Sequence, residues 1–145
     1  TNGSENWSLL KDAADLALGS GGCIKYDLKT FSESLNLGLC GVSNRRTIEN
    51  FKRLSGLIQV RPEPPFLFAS TLLVPGYVEV EEIGRIADLI AECDPTIPYS
   101  LLAFSPQYMM DDLPTTSLKM ANECVRVAKS AGLKRVKIGN VNLLS

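Results

Sequence analysis

Histidine is missing altogether from this chain of 145 residues. Its absence excludes Ser–His and Cys–His catalysis within the chain, and any His-ligated metal. Cysteine is sparse and scattered. Cys23, Cys40, Cys93 and Cys124 form no C-x-x-C pair, which argues against a zinc or cluster site built from them alone. No apolar run reaches membrane-spanning length, and no signal peptide is recognisable. The cysteines therefore read as reduced, mostly buried thiols of a cytoplasmic protein. The formal net charge is -1 with no recurring basic stripe, which argues against nucleic acid as the main partner. Two sequons, Asn2-Gly3-Ser4 and Asn6-Trp7-Ser8, lack a secretory context and are read as chance. The first residue is Thr, and the chain reads as a piece of something longer.

What is present is a strong alternating pattern. Apolar residues make up 45% of the chain, enough for one modest domain with its own core. Ser4 is a plausible cap for a helix carrying Leu9, Leu10, Ala13, Leu16 and Ala17, closed by Gly19. Strands are expected at 23–28, 66–74, 99–104 and 135–141. The near-continuous run "FLFASTLLV" at 66–74 suits a strand buried on both faces. Helices are expected from Ser43 or Asn44 to about Gly56, over 79–93, and over 117–131, with a polar loop between the first strand and Ser43. Such alternation predicts parallel strands joined by helices, in units about the size of one β/α repeat of a barrel. Four strands do not close an ordinary barrel, so the fold class expected is α/β, a partial TIM-like β/α barrel or an open sheet.

The residues with chemical potential cluster where strands end. In "CIKYDLKTF" (23–31), Ile24, Tyr26 and Leu28 share one face, and Lys25, Asp27 and Lys29 the other. Asp27 and Lys29 fit a clamp for a zwitterion, or else a solvated strand end, which is the commoner case. Ser43 and Asn44 precede a helix whose free amides suit an anion; the alternative is an ordinary N-cap. "TLLVPG" (71–76) ends in a strand mouth or a plain stop. "AFSPQYMMDDLPTT" (103–116) is a candidate lid, or a loop whose Mets fill the core edge.

Taken in order and spacing, "IKYDLK", "CGVSNRRTIENF", "LLVPG" and "YSLLAFSP" resemble the radical S-adenosylmethionine activating enzymes, relatives of pyruvate formate-lyase-activating enzyme. The ending "LPTTS … AGLKRVKIGNV" is similar to the AmmeMemoRadiSam-type branch. The resemblance implies that residues 1–145 are the C-terminal half of a radical SAM barrel. The C-x-x-x-C-x-x-C loop that binds a [4Fe–4S] cluster would belong to the full-length parent only. It further implies that Asp27 and Lys29 face the methionine end of S-adenosylmethionine, and that Ser43, Asn44 and the strand end at Val74 approach its nucleoside. Ser105 stands where the activating enzymes often have a His in a "PYH" context. The implied activity of the parent is reductive cleavage of S-adenosylmethionine to a 5′-deoxyadenosyl radical that abstracts hydrogen, from a glycyl radical protein or a small molecule. The fragment alone would be inactive and prone to self-association through its cut edge. Two other readings stay open on the residues: a β/α-barrel enzyme binding a phosphorylated metabolite near Asn44, and a non-catalytic half-barrel used in assembly.

Overall fold

The computed structural model describes all of residues 1–145. Four strands, β1 (Ile24–Asp27), β2 (Leu67–Leu73), β3 (Tyr99–Ala103) and β4 (Val136–Gly139), form one sheet in sequence order, every neighbouring pair parallel. Five helices accompany them: α1 (Trp7–Ser20), α2 (Glu33–Cys40), α3 (Arg45–Ser55), α4 (Val80–Cys93) and α5 (Leu118–Ser130). The fold is thus α/β, with parallel strands and flanking helices, as the alternating pattern predicts.

Strand alternation sorts the side chains into two faces. Ile24, Tyr26, Leu67, Ala69, Leu73, Tyr99 and Leu101 are buried against helical residues such as Phe51, Leu54, Ile83, Ile86, Ile90, Ala121 and Cys124. Tyr26 meets Phe51 edge to face, with ring centroids 5.2 Å apart. The opposite face is open. Phe68 and Leu72 of β2 are only half-buried, so the expectation of a strand buried on both faces fails. An apolar run alone does not distinguish full from partial cover, because Phe and Leu tolerate an open face.

Three further expectations are corrected. The "polar loop" after β1 contains α2, whose eight residues bury only Asn36. Leu35 and Leu39 lie one turn apart and pack against the core, but the exposed Leu37 between them gives the segment the look of alternation. Helix α1 is capped by Asn6, whose side chain accepts from the Ser8 amide at 3.2 Å, and it ends at Gly21, where φ is +75°. Its buried stripe runs through Leu10 and Ala14, while Leu9 and Leu16 are 66% and 73% exposed. Finally, β4 is shorter than expected: Asn140 takes a left-handed φ of 53°, and residues 141–143 coil into a 3₁₀ turn. No helix is long and apolar enough to cross a membrane.

Candidate functional site

The C-terminal end of β1 carries the first two candidate residues. Asp27 closes the strand on the open face, and its carboxylate accepts the Ser70 hydroxyl from β2. The Lys29 ammonium lies 3.3 Å from the other carboxylate oxygen, Oδ2. Partial burial works to raise the Asp27 carboxyl. The Ser70 hydroxyl and the Lys29 ammonium outweigh it and hold the group below the usual carboxylate range. Thr1 pairs with the outer edge of β1 in the manner of a parallel neighbour. Its backbone nitrogen donates to the Lys25 carbonyl and its carbonyl accepts from the Asp27 amide, both at 2.8 Å.

The loop that carries Lys29 is held by side chains from four other elements. Thr71 donates to the Leu28 carbonyl at 2.7 Å and itself accepts from the buried Tyr99 hydroxyl at 2.8 Å. Asn44, only 2% exposed, donates to the carbonyls of Thr30 (3.1 Å) and Phe31 (2.9 Å). Glu82, at the start of α4, accepts from the amides of Phe31 (2.8 Å) and Ser32 (3.1 Å) and from the Ser32 hydroxyl. Thr30 donates to Asn36 Oδ1 at 3.1 Å, and Asn36 donates to the Val42 carbonyl at 2.8 Å. Backbone groups of Leu28, Thr30, Phe31 and Ser32, on both sides of Lys29, are thus engaged. These bonds brace the backbone that carries Lys29, while its side chain stays 44% exposed.

The remaining candidates are placed less uniformly. The Asn44 amide is spent inside the protein, on the loop just described. Ser43 is exposed and donates to Glu33 Oε1 at 2.6 Å, while Arg45 reaches Glu33 Oε2 at 2.9 Å. The Ser43 hydroxyl and Arg45 hold the Glu33 carboxyl below its usual range. The start of α3, considered above as an anion site, thus already has an internal carboxylate beside it. Val74 follows β2 and is 6% exposed, packed within the core. Ser105 is half-buried just beyond the end of β3. Tyr108 and Met109, in the loop after it, project into solvent at 90% and 79% exposure, whereas Met110 packs against the core.

No protein-family model matches the sequence, and no curated protein does. The fold is similar to that of a solved activating-enzyme domain. That structure is described as a domain of pyruvate-formate lyase-activating enzyme from Bacteroides vulgatus ATCC 8482. It is 22% identical, with a TM-score of 0.68, over 90% of this chain and 74% of that one. At this identity the likeness is one of fold.

The cysteines are less buried than expected: Cys23 and Cys40 are exposed, Cys93 is intermediate and only Cys124 is buried. Burial, reinforced by Glu79 and Glu123, pushes the Cys124 thiol up to about 12, which leaves it an inert core group. No three Cys, Asp or Glu side chains converge on a point where a metal ion would sit. The residues of this chain therefore do not fit an iron–sulfur cluster. Sequence reasoning missed Ser70, Thr71, Asn36 and Glu82. The available signal was a set of polar residues inside otherwise apolar elements, which points to buried hydrogen-bond partners.

Proposed function

We propose that this chain is the C-terminal half of a radical S-adenosylmethionine barrel of the activating-enzyme kind, and that it supplies part of the cofactor site. The observation that carries the reading is the Asp27–Lys29 pair on the open face of a parallel sheet, at the strand ends where α/β folds bind ligands. The fold likeness to an activating-enzyme domain supports it.

The donor set fits the amino-acid end of S-adenosylmethionine. Lys29 offers an ammonium to a carboxylate and Asp27 a carboxylate to an ammonium. Their side chains are 44% and 34% exposed, so both are reachable. Ser105 adds a neutral hydroxyl at the neighbouring rim. When bound, S-adenosylmethionine supplies a sulfonium whose reductive cleavage starts hydrogen abstraction. The protein's share is to orient it: the Asn44, Glu82 and Thr71 bonds hold Lys29 in place, and Ser70 holds Asp27. The cluster that would deliver the electron is assigned to a part of the parent outside these residues.

Isothermal titration of S-adenosylmethionine into the chain, and into Lys29→Ala, tests the reading. Loss of one charge-assisted contact predicts weaker binding by about 1.5–3 kcal/mol. An unchanged dissociation constant would return Asp27 and Lys29 to a solvated strand end. The edge of β1 below Thr1, flanked by Leu9, Leu10 and Ala13, leaves a groove of about 480 Å³ and is the proposed surface for self-association. Sedimentation at micromolar concentration should show a reversible dimer, and a clean monomer rules this out.

A further inference from the structure

The strand register brings together residues that the sequence keeps far apart. Asp27, Ser70, Ser100 and Lys137 stand opposite one another, one per strand, in a row across the open face. With strands about 4.8 Å apart, the row spans roughly 14 Å. It is polar at every position, and its two ends differ. The acidic end belongs to the Asp27–Lys29 pair, and Ser70 is spent there.

The basic end is unclaimed. From Lys137 on β4 a groove of about 310 Å³ crosses the sheet, past Ser100, to Lys25 on β1, over a floor that includes Phe68 and Leu102. Neither Lys25 nor Lys137 enters an ion pair. Gly139 keeps the groove open, since a Cβ there would come within 2.8 Å of Leu102 Cδ2. The face as a whole carries Lys25, Lys29 and Lys137 against the single acid Asp27, on a chain whose net charge is -1. Positive charge is thus gathered on the one face that the helices leave open. Two free ammonium groups and a hydroxyl suit an anion. An apolar floor suits an organic body attached to it, and the volume is in the range of small-ligand sites.

We propose that this groove binds the anionic group, a carboxylate or a phosphate, of a small organic substrate. Lys25 and Lys137 hold the charge, Ser100 donates a hydrogen bond, and Phe68 with Leu102 carries the apolar part. The word substrate rests on the cofactor reading of the neighbouring Asp27–Lys29 pair; the anion site itself does not. Among the substrates considered for an activating-type enzyme, this favours a small molecule over a protein.

Titration of the isotope-labelled chain with hexanoate, hexyl phosphate and hexanol, followed by amide NMR, tests the site. Saturable shifts at Phe68, Ser100 and Lys137 are expected with the anions, and binding of hexanol at least tenfold weaker. The tighter of the two anions identifies the headgroup. Lys137→Gln and Lys25→Gln should each weaken the anion about tenfold while the spectrum stays folded, and Lys52→Gln on α3 should not. Hexanol binding as tightly as the anions, indifference to both lysine variants, or no shifts at these residues overturns the proposal. Adding S-adenosylmethionine to the same samples separates the two ideas. Anion binding without cofactor binding keeps the groove and removes the cofactor reading, and the reverse removes the groove alone.

Discussion

Replacing Asn44 with alanine probes the loop on which Lys29 depends. The Asn44 side chain is 2% exposed, and its amide donates to two carbonyls, Thr30 at 3.1 Å and Phe31 at 2.9 Å. Alanine leaves both acceptors without a donor, one in a buried and one in a partly buried setting. A lost hydrogen bond costs about 1 kcal/mol net, and an acceptor stranded out of water about 1–3 kcal/mol. Solvent reaches the Phe31 carbonyl more easily, so the total falls at about 2–4 kcal/mol. A chain of this size has a total stability of roughly 7–20 kcal/mol, so the loss is a sizeable share of it. Urea unfolding followed by the fluorescence of the single Trp7 should show a lower midpoint with an unchanged slope. Asn44→Asp sharpens the test. It keeps the volume but turns a carboxylate oxygen towards two carbonyl oxygens, so at neutral pH it should be worse than alanine. It should recover in part when acid protonates it and restores a donor. A loss under about 0.5 kcal/mol for alanine, or an aspartate variant no worse than alanine, would refute the argument that these bonds hold the rim.

Two other outcomes follow from the same geometry. The Asp27 carboxyl is held below its usual value of 3.8, so its stabilisation is present above that value and is lost as pH falls through the lower, folded one. The stability gap between the protein and Asp27→Asn should stay constant above about pH 5 and close in stronger acid; a gap that does not change with pH contradicts the assigned partners. Gly3 has a φ of +69°, and a Cβ there would lie 1.6 Å from the hydroxyl of Tyr26. Tyr26 is fully buried and donates to the Thr47 carbonyl at 2.6 Å, so it has nowhere to go. Gly3→Ala should cost about 2–4 kcal/mol in denaturant unfolding, with Ser4→Ala near neutral as its control; equal behaviour of the two would sink this reasoning.

By itself the sequence determined the elements with strong local signals. The apolar runs around Ile24, Leu67, Tyr99 and Val136 set four strands, and the spacing of Ile83, Ile86, Ala87 and Ile90 set α4. These patterns are local, because a strand repeats every two residues and a helix every 3.6, and burial on one face leaves that period in the chain. It also determined that Asp27 and Lys29 share a face. It did not reveal α2, because the helical pair Leu35 and Leu39 is masked by the exposed Leu37 between them, and the helix's other ties run through Asn36 and Glu82. Nor did it decide which apolar stripe of α1 turns inward, since Leu9, Leu10 and Leu16 look alike until α3 and the sheet choose among them. Tertiary structure alone decided the partners of the buried polar residues. Asn44 reads as a helix cap but serves as a brace for the preceding loop, and Glu82 lies 50 residues from the Ser32 amide it holds. It alone decided the row from Asp27 to Lys137 as well. Alternation says which face a residue takes, but which residues stand opposite one another is set by how the helices and loops bring the strands into register.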